Sequence, residues 1–141
     1  MPNLTEIERT FIVAYLACAL WSTSDDTELR GEFLNATFTA ESFPVGQLAV
    51  AEVQCTEFIR KASNLGSYQW DLTEASQAGH DFWLTRSGHG TGFWDRPEIW
   101  GDKKDALADL ARGFGEIDLY AGDDEKLYFG GFERILAGVR A

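Results

Sequence analysis

A chain of 141 residues, 45% hydrophobic and 25% charged, has the balance of an ordinary globular protein and the length of one domain that can bury a core without staples. Its formal net charge of −11 argues against direct binding of DNA or RNA, because a negative field repels phosphates and favours basic partners. The longest apolar run, Phe11 to Trp21, is too short to span a bilayer, and the mixed-charge residues before it do not resemble a signal peptide.

The acidic bias is uneven. Residues 1–58 hold nine acids and two bases, whereas residues 59–141 hold fourteen and ten. Solubility is the general consequence of such charge; a protein partner with a basic surface is the more specific one. Cys18 and Cys55 sit in apolar helical patterns with no CxxC spacing, which fits free thiols in a reducing cytoplasm.

In chain order, Thr5-Glu6-Ile7-Glu8 reads as a capping box opening a helix over residues 6–22. From Phe11 this helix is apolar on every face, so it is expected to be the central, most buried one. Residues 29–43 read mostly as loop, with strand-like alternation at Thr37-Phe38-Thr39. Pro44 suits the first position of a second helix reaching Asn64, with Gly66 near its C-cap. Along it Val45, Leu48, Ala49, Val53, Cys55, Phe58 and Ile59 recur at roughly helical spacing.

Asp71, with Glu74 three residues on, predicts the N-cap of a third helix ending at Ser87 before Gly88. Its inward face is expected to hold Leu72, Ala75, Gly79, Phe82 and Trp83, with His80 and Arg86 at the edges and Asp81 and Thr85 pointing away. Gly79 in mid-helix implies close approach of a neighbour. After the glycine-rich loop Ser87 to Gly92, Phe93 and Trp94 are expected to return to the core and Pro97 to close the loop. A fourth helix is read over residues 102–114, with Leu107, Leu110, Ala111 and Phe114 inward and Gly115 as its stop. Glu116 to Ala121 and Lys126 to Phe129 read as two strands joined by a turn at residues 122–125. Phe132, Ile135, Leu136 and Val139 fit a short C-terminal helix. The fold class is therefore mainly α with a small β-hairpin near the C-terminus (α+β), a compact single domain of about four main helices.

Residues 79–100 are the densest in groups capable of chemistry, holding both histidines and three tryptophans. Gly88, Gly90 and Gly92 could converge amides on an anion, but the loop leaves a helix C-terminus, where the dipole is negative, so a redirecting turn is the simpler reading. His89 is the better candidate for a functional imidazole and His80 for a packing residue. Asp81, Arg86, Asp95 and Arg96 can form a paired network that braces the loop. A ligand site here would use His80, Arg86, His89, Thr91, Trp94, Asp95 and Arg96. No metal-ligand spacing is present, and neither metal nor cofactor is expected. Two acidic knobs, Asp25, Asp26 and Glu28 and then Asp123, Asp124 and Glu125, lack calcium-loop spacing; they are solvated turns or carboxylates presented to a basic partner.

The strings AGHDFWLTRSGHGTGFWDR (78–96) and GFGEIDLYAGDDEKLY (113–128) resemble a family of small uncharacterised tailed-bacteriophage proteins. Members tend to carry Asn where this chain has Ser87 and Gly where it has Glu125; the second difference makes the hairpin turn less ideal here. The resemblance brings no catalytic residue. It implies expression in the cytoplasm of an infected host bacterium. Two functional readings stand: an acidic phage-type accessory protein that binds and modulates a host or phage protein, such as a nucleic-acid-handling or defence component, or a small enzyme or anion- or ligand-binding protein with a site around His80, His89, Asp95 and Arg96. With no complete catalytic motif the first is favoured; self-association into a homo-oligomer is left open.

Overall fold

The computed structural model describes residues 4–23, 38–65, 70–88 and 90–130. Over these the chain forms α1 (Glu6–Ser22), α2 (Val45–Ser63), α3 (Leu72–Ser87), a one-turn α4 (Pro97–Trp100), α5 (Lys104–Arg112), β1 (Asp118–Ala121) and β2 (Leu127–Gly130). The architecture is α+β, with four main helices and an antiparallel two-stranded hairpin. No helix among the described residues is long and apolar enough to cross a membrane. The C-terminal helix expected from Phe132 to Val139, the acidic knob of Asp25, Asp26 and Glu28, Gly66 and His89 lie outside the described residues.

Local signals account for the helix ends. Thr5 accepts from the Glu8 amide while the Glu8 carboxylate accepts from the Thr5 amide, and Asp71 and Glu74 form the same reciprocal box on α3. Pro44 is the N-cap of α2 rather than its first residue, and Gly88, in the left-handed conformation, ends α3. The fourth predicted helix is divided: α4 follows Pro97, a 3-10 turn spans Gly101–Lys103, and α5 stops at Arg112 with Gly113 as its cap, so Gly115 lies beyond the helix.

The core is aromatic. Phe58 stacks on Phe82 at 4.3 Å and on Phe93 at 5.5 Å, and Tyr15 meets Trp83 edge-on at 5.4 Å. Leu119, Leu127 and Phe129 turn the inner face of the hairpin onto this cluster, with Phe129 stacked on Phe43. That packing supports a hairpin too small to stand alone.

Several expected faces differ. In α1, Val13, Ala17 and Trp21 form an exposed stripe, so the helix is not buried all round. In α2, Val45, Ala49 and Val53 are exposed; the buried face holds Ala51, Gln54, Cys55, Phe58 and Ala62. The rotation follows from two glutamines with work inside: Gln54 accepts from Arg86, and Gln47 accepts from the Phe129 amide. In α3, Leu72 is exposed in the first turn, at the edge of a surface cleft.

Gly79 is where α1 and α3 meet. A Cβ there would stand 2.2 Å from the Phe11 carbonyl oxygen and 3.0 Å from the Ala14 Cβ. Gly79→Ala is expected to lose about 2 kcal/mol through forced separation of the helices, although alanine is the better helix former by about 1 kcal/mol. Urea unfolding gives the sign directly; a stabilised variant would mean that the contact is soft. In the hairpin turn, Glu125 holds φ at 62°, the left-handed region that costs a non-glycine residue roughly 1 kcal/mol. Glu125→Gly should therefore raise the unfolding midpoint, corresponding to a gain of about 0.5–1 kcal/mol.

Candidate functional site

The stretch from α3 through α4 contains two buried charges. Asp81 and Arg86 are 0% and 2% exposed, and each is surrounded by partners from the chain itself.

Asp81 was expected to point to solvent with Thr85; both are buried instead. The reason is that residues 91–100 fold back over that face of α3. The Arg96 Nε donates to Asp81 Oδ1 at 2.7 Å, the Trp100 indole N–H to Oδ2 at 2.8 Å, and the Gln77 amide to Oδ1 at 3.1 Å. Thr85 Oγ1 accepts from the Phe93 amide, which anchors the returning segment a turn further along. Burial raises the Asp81 carboxyl above its ordinary range, against the lowering by its three donors.

Arg86 has no acidic partner among the described residues. Nη1 donates to the Tyr15 hydroxyl at 3.0 Å and to Gln54 Oε1 at 2.6 Å, and Nε and Nη2 donate to the carbonyls of Gly115 and Phe114. The guanidinium also lies 5.2 Å above the Phe82 ring. It therefore ties α1, α2 and α3 to the connection between α5 and β1. The carbonyls it satisfies belong to that connection rather than to its own helix. Burial pushes Tyr15 ionisation far up, so a neutral hydroxyl faces the guanidinium.

The glycine-rich loop is occupied by its own side chains. Asp95 accepts from the Thr91 hydroxyl at 2.6 Å and from the Gly92 amide at 3.0 Å, and the Thr91 hydroxyl first, then that amide, hold its carboxyl below the usual range. Gly92 is enclosed: a Cβ would meet Thr85 Oγ1 at 2.2 Å. Trp94 is half-buried under the Arg112 guanidinium, 5.1 Å from its ring, while Phe93 is fully buried. The four-residue network of Asp81, Arg86, Asp95 and Arg96 thus resolves into one ion pair, Asp81–Arg96, plus two separate braces.

His80 stands apart from this loop. It is half-buried, its ring is 6.0 Å from that of Trp21, and burial lowers its pKa despite the Asp81 charge nearby. It borders two open clefts of about 390 and 470 Å³ on the α1–α3 surface, lined also by Ser76, Thr10, Val13 and Ala17. Neither cleft is lined by Thr91, Trp94, Asp95 or Arg96. No group of three or more potential ligands for a metal stands together among the described residues. The residues that sequence reasoning passed over are Tyr15, Gln54, Gln77 and Trp100, the partners of the two buried charges. Gln54, polar in an otherwise apolar recurrence, was the available signal.

Comparison with protein-family models, with curated proteins and with solved structures finds no match for the chain.

The raised pKa of Asp81 makes a pH prediction. The native state binds this proton more tightly than the unfolded chain, so the carboxyl's contribution falls as pH rises from about 4 through the folded pKa, and is constant above it. Asp81→Asn removes that titration. The stability of the parent minus that of the variant should decline across this window in urea unfolding series, and a difference rising with pH would contradict a raised pKa.

Proposed function

We propose that this chain is an acidic accessory protein of phage type, acting in the bacterial cytoplasm by binding and modulating a protein with a basic surface. The observation that carries this reading is the division of charge in the fold. Of the candidate site residues, Asp81, Arg86, Asp95 and Arg96 are engaged by the chain's own atoms, and His80 lies apart from them at the α1–α3 clefts. The exposed carboxylates are left to the outside: residues 116–126 carry Glu116, Asp118, Asp123, Asp124 and Glu125 against Lys126 alone, all exposed. Such a surface steers a basic partner and repels nucleic acid, so the target is a protein, whether of host or phage origin. The resemblance of residues 78–96 and 113–128 to phage proteins supports the setting.

Affinity capture from bacterial lysate at low and high salt tests the reading. A specific partner should be retained at low ionic strength and released as the Debye length shrinks below about 5 Å. Its retention should weaken when Asp123, Asp124 and Glu125 are together replaced by the corresponding amides. Absence of any salt-sensitive partner would count against an acidic docking role.

A further inference from the structure

The outer face of the hairpin is two tyrosines set between two glycines. Leu119, Leu127 and Phe129 turn inward, so by strand alternation the opposite face carries Asp118, Tyr120 and Gly122 along one strand and Lys126, Tyr128 and Gly130 along the other. The Gly122 amide donates to the Lys126 carbonyl, which continues the ladder to that end. The side chains of this face reach solvent: Asp118 and Lys126 are exposed, Tyr120 is 52% exposed, and Tyr128 is half-buried. Tyr120 and Tyr128 stand directly opposite each other, and their rings stack with centroids 5.8 Å apart.

Each glycine leaves a space that a carboxylate takes. A side chain at Gly130 would run into the Asp118 carboxylate, so that group lies across the ladder, over the paired strand. A Cβ at Gly122 would stand 2.8 Å from Asp124 Oδ1 and 2.8 Å from the Tyr128 ring. The Tyr128 hydroxyl donates to Asp124 Oδ2, which holds that ring toward the turn. The tyrosine pair is thus bracketed by a carboxylate at each end, within a segment of five exposed acids and the single base Lys126. Charge and shape together select the occupant. Like-charge repulsion disfavours nucleic acid, an acidic peptide or the same face of a second copy. A guanidinium suits both parts of the face, because it stacks on aromatic rings and its N–H fork meets a carboxylate with two parallel bonds. A lysine ammonium is a compact, strongly hydrated point charge and matches only the acids.

Resting on the reading that the partner is basic, we propose that the outer face of the hairpin receives arginine side chains from a surface segment of that partner. One guanidinium lies against the Tyr120–Tyr128 pair and donates to the Asp118 carboxylate. Neighbouring arginines meet Asp123, Asp124 and Glu125 at the turn. The acids supply attraction at a distance, and the tyrosine pair supplies the preference for arginine over lysine.

The test uses the whole protein and two capped octapeptides of equal charge, one alternating arginine and serine, the other lysine and serine. Calorimetric titration at low salt gives the affinities, and ring-proton shifts of Tyr120 and Tyr128 report the place of binding. The arginine peptide should bind at least about threefold more tightly than the lysine peptide, and should shift both rings. Tyr120→Leu should remove that preference, whereas Tyr120→Phe, which keeps the ring, should retain it; thermal melts verify that both variants fold. Asp118→Asn should weaken the arginine peptide about threefold or more, and Glu98→Gln, the same loss of charge on α4, should weaken it less. Equal affinity for the two peptides with unshifted rings would overturn the tyrosine face and leave docking by charge alone standing. An effect of Glu98→Gln as large as that of Asp118→Asn would overturn it in the same way. Failure of the arginine peptide to bind also overturns it, with lysate capture judging the basic-partner reading separately.

Discussion

The spacing between α1 and α3 depends on the absence of one methyl group. Gly79 lets the backbone of α3 come against the Phe11 carbonyl, and that approach sets the geometry of everything packed around the two helices. At this separation the Cys18 thiol reaches the His80 carbonyl at 3.7 Å and the Trp83 indole reaches Ser22. Tyr15 comes within hydrogen-bond distance of Arg86 through the same contact. Burial pushes the Cys18 thiol up to about 12, so it packs as a small hydrophobe in the seam rather than as a thiolate. A helix pair held this closely leaves little room for adjustment, because side chains in a dense interior cannot shift independently.

The two buried charges are accommodated in opposite ways. Asp81 has a counter-ion, Arg96, and two further donors, which is the arrangement expected when a carboxylate leaves water. Arg86 instead distributes its charge over four neutral acceptors and an aromatic face. Five N–H groups in a fixed fork make that possible; a lysine ammonium could not span the same set. Both side chains work as organisers. Asp81 fixes the returning segment through Arg96 and Trp100, and Arg86 fixes the junction from which the hairpin emerges. The acidic hairpin is thus carried on a rigid support, and its orientation is set from within the core.

What could be read from the residues was what depends on neighbours in sequence. The two capping boxes, the Gly88 stop, the close contact at Gly79 and the strand alternation around Leu119 all follow from spacing alone. What escaped depends on contacts between distant segments. Asp81 looked solvent-facing by its angle on the helix, and only the fold-back of residues 91–100 buries it. Val45, Ala49 and Val53 looked like a core stripe, but Gln47 and Gln54 have partners on Phe129 and Arg86 that turn the helix another way. The bracing role of residues 79–100 was legible in outline, from arginines and aspartates in alternation. The partner of each charge was not, since Arg86 and Asp95 bond to groups of no charge.

The reach of Arg86 also orders events during synthesis. Its side chain meets Tyr15 across 71 positions and Gln54 across 32, then waits for Phe114 and Gly115, 28 and 29 positions later. The apolar first helix leaves the ribosome long before α3 exists to cover it. Contacts of such long range form slowly and leave greasy surface uncovered in the interval. The face of α1 that α3 covers is therefore without that cover from the emergence of Phe11 until that of Arg86, and the Arg86 network is complete only when the segment leading into the hairpin arrives.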